Sequence, residues 1–429
     1  MKDLKKMKIL IVSYACDNFG DNLIRICFEQ LFKVVLKNLG LDLEATEINK
    51  MELKHIDEAL VADSDIIAFA GGGIFGLSYL SFFEPISRIL AIAEQNEIPL
   101  FFSSIGLNNM DANAENEHML KEILRRKCIK AISVRENLAL FQQYAGECDF
   151  ELCQVCDPAV WTKYIYFSEW NDSAAHASSQ KELVGINVVR GGLFHDNGKP
   201  WKLGDEMKYL NALRRELDSR GIDYQFYTNG SFLDDNSLHY YADKFDIPAD
   251  KLIFPNTTRE FVRTVARFDT VAAIRMHSSI VAYALGIPSV NLVWNDKIPF
   301  FYENIGYADR AIDLAHWEGE GIFEWLQAIK DEDYAPDGEY MMSLYRYLYR
   351  VMSELTGIGA DESTLFDLET VKSELQSMTV SMEEDITDYN MKLEKSEKHY
   401  LSRYKEVRQR DEELKQQRKE LEKQNKTLT

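Results

Sequence analysis

Arg275, His277, Ser278 and Ser279 fall within five residues of one another, and Lys297 follows twenty residues after the histidine. Two cations, an imidazole and the free N–H groups of a helix start are what a small anion with an acid or base beside it requires. The cations and N–H groups hold the charge, and imidazole changes protonation near neutral pH. The surrounding chain shows how such groups can meet. Residues 270–274 (TVAAI) are β-branched and apolar, as in a buried parallel strand. Ser278 and Ser279 open a helix whose apolar stretch, residues 280–285, is stopped by Gly286 and, just beyond it, Pro288. Residues 289–294 form the next strand, and a polar turn carries Asn295, Asp296 and Lys297. In this β-α-β unit the polar residues fall at the carboxyl ends of both strands, the edge at which open α/β sheets bind ligands. Met276 is expected to pack, pointing away from His277.

The same kind of edge recurs upstream. Residues 8–13 (KILIVS) read as a first buried strand, followed by Asp17-Asn18-Phe19-Gly20-Asp21-Asn22 and a helical pattern over 23–39 that closes at Gly40. Asn18, Gly20 and Asp21 are candidates for ligand contact, and Asp17 or Asn18 is equally a candidate helix cap. No G-x-G-x-x-G stands here, so no dinucleotide is inferred. A strand over 64–70 runs into Gly71-Gly72-Gly73. Three successive glycines bare backbone N–H groups to a ligand where a plain turn needs one or two. Residues 130–134 are a short strand ended by Arg135 and Glu136, which taken alone read as a surface ion pair of little weight. Residues 183–189 are another strand, ended by Arg190, a further candidate cation. Asp21 and Asp157 are both candidates for a base, and nothing in the sequence selects between them.

At 429 residues the chain is too long for one simple core. Strand and helix patterns alternate in two blocks, which gives parallel, doubly wound sheets. The expected division is a first Rossmann-like domain over 1–167, a polar linker over 168–182 and a second Rossmann-like domain over 183–310. A helical extension over 311–380 and a long charged helix over 381–429 follow. A net charge of −21 argues against nucleic acid and against an anionic bilayer, and obliges any anionic substrate to find a local basic cluster. The start, MKDLKKMKIL, lacks the apolar core of a secretory signal, and no apolar run reaches membrane-spanning length. A soluble, cytoplasmic protein is therefore expected. Of six cysteines only Cys153 and Cys156 form a tight pair. With Cys148 they suggest a metal knuckle or a redox pair, but no second such pair lies near, so reduced structural thiols and no metal are expected. In the tail, Ile386, Leu393, Tyr400, Val407, Leu414 and Leu421 recur every seven residues. The second seam offers Ser396, Arg403, Arg410 and Gln417, so the helix is expected to pair weakly with another copy or to dock through its one apolar stripe.

The pattern R-x-H-x-x-I-x-A-x-x-x-G-I-P at 275–288, followed by N-D-K at 295–297, resembles the C-terminal signature of the polysaccharide pyruvyl transferase family. The G-D-N segment at 20–22, the glycine triplet at 71–73, I-S-V-R-E at 132–136 and D-P-A at 157–159 resemble further motifs of that family, and the likeness spans roughly residues 7–310. It implies a fold like that of B-type glycosyltransferases, two Rossmann-like domains facing a cleft. It also implies transfer of an enolpyruvyl unit from phosphoenolpyruvate onto a sugar of a surface polysaccharide or its precursor, usually as a cyclic ketal. Under that resemblance His277 is the general acid, and Arg135 and Lys297 hold the donor's anionic groups. Arg275, Ser278, Ser279, Gly71, Gly72, Gly73, Asn18, Gly20, Asp21 and Arg190 complete the expected substrate site. No cofactor beyond the donor substrate is expected, and the acceptor's anchor, lipid or otherwise, stays open. One alternative is a glycosyltransferase using a nucleotide-sugar; that would want an acidic pair for the ribose, which Asp296-Lys297 does not resemble. The other is a non-catalytic scaffold, against which the presence of Arg135, His277 and Lys297 together speaks.

Overall fold

The computed structural model describes residues 7–76, 80–108, 114–146, 148–167, 182–202, 204–317, 319–359 and 361–428. The expected linker lies, but for Glu182, outside them. Two sheets of six strands are formed, and every strand pairing within them is parallel. The first contains β1 (Lys8–Ser13), β2 (Glu47–Glu52), β3 (Ile66–Gly76), β4 (Leu100–Asn108), β5 (Ile129–Val134) and β6 (Glu151–Gln154) in the order β2-β1-β3-β4-β5-β6. The second contains β7 (Leu183–Asn187), β8 (Asp223–Tyr227), β9 (Leu252–Ile253), β10 (Thr270–Ala273), β11 (Ser289–Leu292) and β12 (Ala311–Ile312) in the order β12-β11-β10-β7-β8-β9. Strand order reverses between β1 and β3 in one sheet and between β7 and β10 in the other, and such reversals open a crevice at the carboxyl edge.

The helices that build the site and its frame are α1 (Phe19–Asn38), α2 (Asp205–Arg220), α3 (Phe232–Phe245), α4 (Thr258–Val265), α5 (Met276–Leu285), α6 (Lys297–Asn304), α7 (Gly319–Ile329), α8 (Gly338–Thr356) and α9 (Met382–Leu428). α1 is buried on nearly every side, because β-sheet, α4, α8 and the tail all pack around it. The largest apolar cluster runs continuously from α1 through Tyr227 and α5 to α8, so the two domains share one core. Their outer sheet faces have separate clusters.

The 311–380 stretch does not form a unit of its own. β12 pairs with β11 as an edge strand of the second sheet, and α7 lies in that domain's outer cluster. α8 crosses back to the first domain, where Tyr347 donates to the Phe102 carbonyl at 2.8 Å and Ser343 accepts from the Cys156 N–H at 2.9 Å. Edge pairing and buried tyrosines outweigh the helical pattern that set the stretch apart in sequence.

The glycine triplet is not a loop after a strand. β3 runs on through it to Gly76, with a register shift against β4 between Gly72 and Phe75. Gly71 has a φ of 67°, and a Cβ there would stand 2.6 Å from Ile24, so the glycine serves the contact of β3 with α1.

The tail helix α9 docks by its charged face. Asp388, fully buried, accepts from Asn22 of the first domain at 2.8 Å and from the N–H of Thr258, the first residue of α4, at 2.6 Å. Glu384 pairs with Arg25 and with Lys50, Asp385 with Arg259, and Lys392 with Asp235. The apolar heptad stripe contributes one contact, Tyr400 set edge-on to Phe232 with ring centroids 5.6 Å apart; Ile386, Leu393, Tyr400, Val407 and Leu414 are all exposed, from 47% to 67%. Helix geometry turns Asp388 and Lys392 well away from that stripe, so the helix docks through its buried ion pairs. No helix among the described residues is long and apolar enough to cross a membrane.

Candidate functional site

The carboxyl edges of the two sheets meet across a cleft of about 310 Å³. From the first domain come Asn18 and Asp21 at the start of α1, Gly73 of β3 and Arg135 after β5; from the second come Arg275, Met276, His277 and Lys297. Seven of these eight are expected site residues brought to one place, Gly73 being the only glycine of the triplet on the wall; the eighth, Met276, was expected to pack pointing away from His277.

α5 starts two residues earlier than its serines suggest. Arg275 is its N-cap residue, with no side-chain cap, so His277 sits in the first helical turn; Met276 packs into the main apolar cluster as expected, but on the cleft wall beside His277. The uncapped start leaves backbone N–H groups for a ligand. Ser278 and Ser279 are fully buried and face the sheet: Ser278 shares a 2.5 Å hydrogen bond with Tyr227, and the Ser279 hydroxyl accepts from Asn291 at 2.8 Å. They fix the helix to the sheet and do not line the cleft. The strand-to-helix turn is held by Asn187, whose side-chain oxygen accepts from the N–H of Arg275 at 2.9 Å.

Each cation has a different setting. Arg135 is buried between two carboxylates, donating to Glu136 at 2.9 Å and to Asp157 at 2.5 Å. The Arg135–Glu136 pair is therefore a buried pair, and Gly106 makes room for it, since a Cβ there would stand 2.7 Å from the guanidinium. Burial would push the Asp157 carboxyl up, but Arg135 and His277 beside it hold it down at about 2. Arg275 makes a fork of two hydrogen bonds, 2.9 and 2.7 Å, to Asp234, which has no solvent exposure. Lys297 begins α6, in place of the expected turn, and makes no ion pair within 4.0 Å among the described residues. Burial pulls its ammonium down to about 8, against the carboxylate of Glu136, which pushes the other way.

His277 is buried at 7% exposure, with its Nε2 3.7 Å from the Asp157 carboxylate, beyond hydrogen-bond reach. That nitrogen is buried and has no hydrogen-bond partner among the described residues. The other face of the ring lies on Gly20, where a Cβ would come within 2.4 Å of Nδ1. Gly20 thus acts by having no side chain. Asn18 both caps α1, accepting from the Gly20 N–H at 3.3 Å, and donates to Asp21 at 2.9 Å. The cap and the ligand-facing readings of this segment describe one and the same residue.

Arg190 and Gly72 do not line the cleft, and Arg190 instead pairs with Asp196 at 2.6 Å. Residues that sequence reasoning missed include Tyr14, Cys16, Phe82, Asn197, Ser231 and Trp294 on the cleft wall, and Asp234 beneath it. Trp294 closes a strand already placed at this edge, and its indole N–H donates to the Ile274 carbonyl at 2.7 Å. Asp234 carries no local signal, since its partner lies forty-one residues on. No cluster of His, Cys, Asp or Glu able to hold a metal occurs among the described residues. Cys153 and Cys156 are free thiols, both pushed up to about 12 by burial.

Among solved structures the chain is similar to UDP-GlcNAc 2-epimerase from Methanocaldococcus jannaschii, with a TM-score of 0.53 and 11% identity over 81% of this chain and 100% of that one. UDP-GlcNAc 2-epimerase from Neisseria meningitidis, bound to UDP-GlcNAc, gives a TM-score of 0.52 and 10% identity over the same shares of the two chains. At such identities the likeness is one of fold. No curated protein matches the sequence. The profile described as polysaccharide pyruvyl transferase matches residues 12–296, well over half of the chain, taking in Arg135, Asp157, Arg275 and His277 and ending one residue before Lys297. With most of both sheets and every cleft-lining residue but Lys297 inside that span, the chain belongs to the polysaccharide pyruvyl transferase family and is a transferase that modifies polysaccharide.

Proposed function

We propose that the protein transfers the enolpyruvyl unit of phosphoenolpyruvate onto two hydroxyls of one sugar in a surface polysaccharide or its precursor, closing a cyclic ketal. The observation that carries this reading is Lys297, a half-buried ammonium with no ion-pair partner among the described residues, sharing a small cleft with His277 and Arg135. A cation in that condition gains most from a compact, multiply charged anion. The cleft is at the lower end of ligand-pocket volumes, which run from roughly 300 to 1,000 Å³, and suits a three-carbon phosphate better than a nucleotide-sugar.

In this scheme Lys297 and the free N–H groups of α5 hold the phosphate and carboxylate. His277 gives a proton to C3 of the enol, which makes C2 electrophilic. One sugar hydroxyl adds to C2, the C2–O bond to phosphate breaks, and the second hydroxyl adds to close the ring. Of the two hydroxyl protons, one restores the acid and the other leaves with phosphate. Asp21, the carboxylate on the cleft wall among the described residues, takes the second of these protons from its hydroxyl and passes it to the departing phosphate. Asp157, kept ionised by Arg135, is too weak a base for this and serves as a negative charge beside the His277 ring.

Calorimetric titration of phosphoenolpyruvate and of a panel of nucleotide-sugars tests this. Phosphoenolpyruvate is expected to bind the wild type and His277→Gln and to lose affinity for Lys297→Ala. Binding of a nucleotide-sugar alone would leave the fold intact and remove the pyruvyl donor. Silence from every donor would favour a scaffold.

A further inference from the structure

A second pocket, of about 540 Å³, opens on the same carboxyl edge of the second sheet, beside the cleft and distinct from it. One wall is a single face of α3, where Ser237, Tyr240 and Lys244 stand at helical spacing. Arg190, at the end of β7, forms another, and the tail helix completes it with His399 and Arg403, one turn apart. Among the described residues lining it none is acidic, in a chain whose net charge is −21. Four groups that are or can become cationic therefore meet where the average surface is negative.

These cations are available. Arg190 pairs with Asp196 and Arg403 with Glu406, at 2.6 and 3.0 Å, but both carboxylates are more than half exposed. Exposed pairs of this kind contribute little to stability, so each guanidinium can exchange its partner for a phosphate. Lys244 has no carboxylate within 4.0 Å among the described residues and lies 5.7 Å from the ring of Tyr240. That ring is 58% exposed, a flat apolar face beside the charges, as a sugar ring needs. The pocket is also joined to the cleft: one oxygen of Asp234 accepts from the N–H of Arg190 and from the side chain of Arg275, each at 2.7 Å.

We propose that this pocket binds a phosphorylated saccharide, its phosphate or diphosphate held by Arg190, Lys244 and Arg403 and its first sugar resting on Tyr240. That this saccharide is the acceptor rests on the transfer reaction proposed above; the phosphate site itself does not. The tail helix is then a wall of a binding site as well as a brace.

Titration of the full chain with inorganic pyrophosphate tests it. The wild type and Lys297→Gln should bind, and the Lys244→Gln/Arg403→Gln double variant should bind at least about tenfold more weakly with its circular dichroism unchanged, the loss expected for charge-assisted bonds. No binding to the wild type, or binding lost in Lys297→Gln and kept in the double variant, overturns the site. Displacement of pyrophosphate by glucose 1-phosphate assigns a soluble ligand; displacement by phosphatidylcholine vesicles carrying a polyprenyl diphosphate, and not by plain vesicles, assigns a lipid-linked one. Displacement by neither removes the saccharide. If phosphoenolpyruvate fails to bind while pyrophosphate binds through Lys244 and Arg403, the transfer reaction falls and this site stands.

Discussion

On the first domain's side of the cleft Arg135 already faces two carboxylates, and on the second domain's side Arg275 is forked to Asp234 in the same way. Lys297, at the same cleft, is half-buried with no carboxylate within 4.0 Å among the described residues. All three look alike in sequence as cations at a strand's carboxyl end. The arginines' charges are answered by the fold, while the lysine's has no such answer among the described residues. Buried charge thus marks two different things, a finished internal pair and an unfinished site, and the partner tells them apart.

The sharpest way to break this comparison is at His277, the proton donor proposed above, which shares the cleft with these cations. His277→Gln should lower kcat by about 10² to 10⁴-fold while phosphoenolpyruvate affinity changes little. A variant that turns over normally would leave the cations without a reaction to serve. Next come the pairs. Arg135→Ala leaves Asp157 and Glu136 buried without their guanidinium and should cost about 3–5 kcal/mol in denaturant unfolding, whereas Lys297→Ala should cost nothing. Equal losses would erase the distinction between finished and unfinished charge.

Gly20→Ala places a methyl against the His277 ring and should reduce turnover with a smaller change in donor affinity, since the imidazole must shift. Unchanged kcat would mean that the ring position is not critical. The lysine also sets a pH trend. Its folded pKa is lowered, so the stability it contributes is present above its unfolded value near 10.5 and is lost as pH falls through about 8. Donor affinity should run the other way, strongest below about pH 8 and falling above it, and Lys297→Ala should flatten both trends. The smallest effect concerns the tail. Wild-type mass in solution should rise with concentration through weak pairing of the exposed stripe, and Val407→Lys/Leu414→Lys should abolish the rise. Truncation at Ser381 is the poorer test, because it also removes Asp388 from between the domains.

Much of this was legible in sequence because it is local. Apolar runs, glycine stops and the polar residues behind each strand place Arg135, Arg275, His277 and Lys297 at carboxyl edges, and parallel sheets bring such edges together. Partner choice was not legible. Asp234, Asp157 and Asp388 lie from twenty-two to more than three hundred residues away from the groups they hold, and no periodicity links them. The serines of α5 misled for a related reason: Ser and Thr favour helix starts, but here both hydroxyls are used by tyrosine and asparagine side chains of the sheet. The heptad of the tail was a true pattern, yet the interface that docks the helix is built from its charges.

Two doubly wound domains joined by a single connection ordinarily rock about it to admit and enclose a ligand. Here the ring of Phe19 occupies the place a side chain would take on Gly230, the Phe19 N–H donates to the Asn229 carbonyl, and Asp388 gives one oxygen to each domain. The molecule is a splinted jaw. The loss of freedom that closure would exact at every catalytic cycle is met once, during folding, and donor and acceptor enter a mouth whose width is already set.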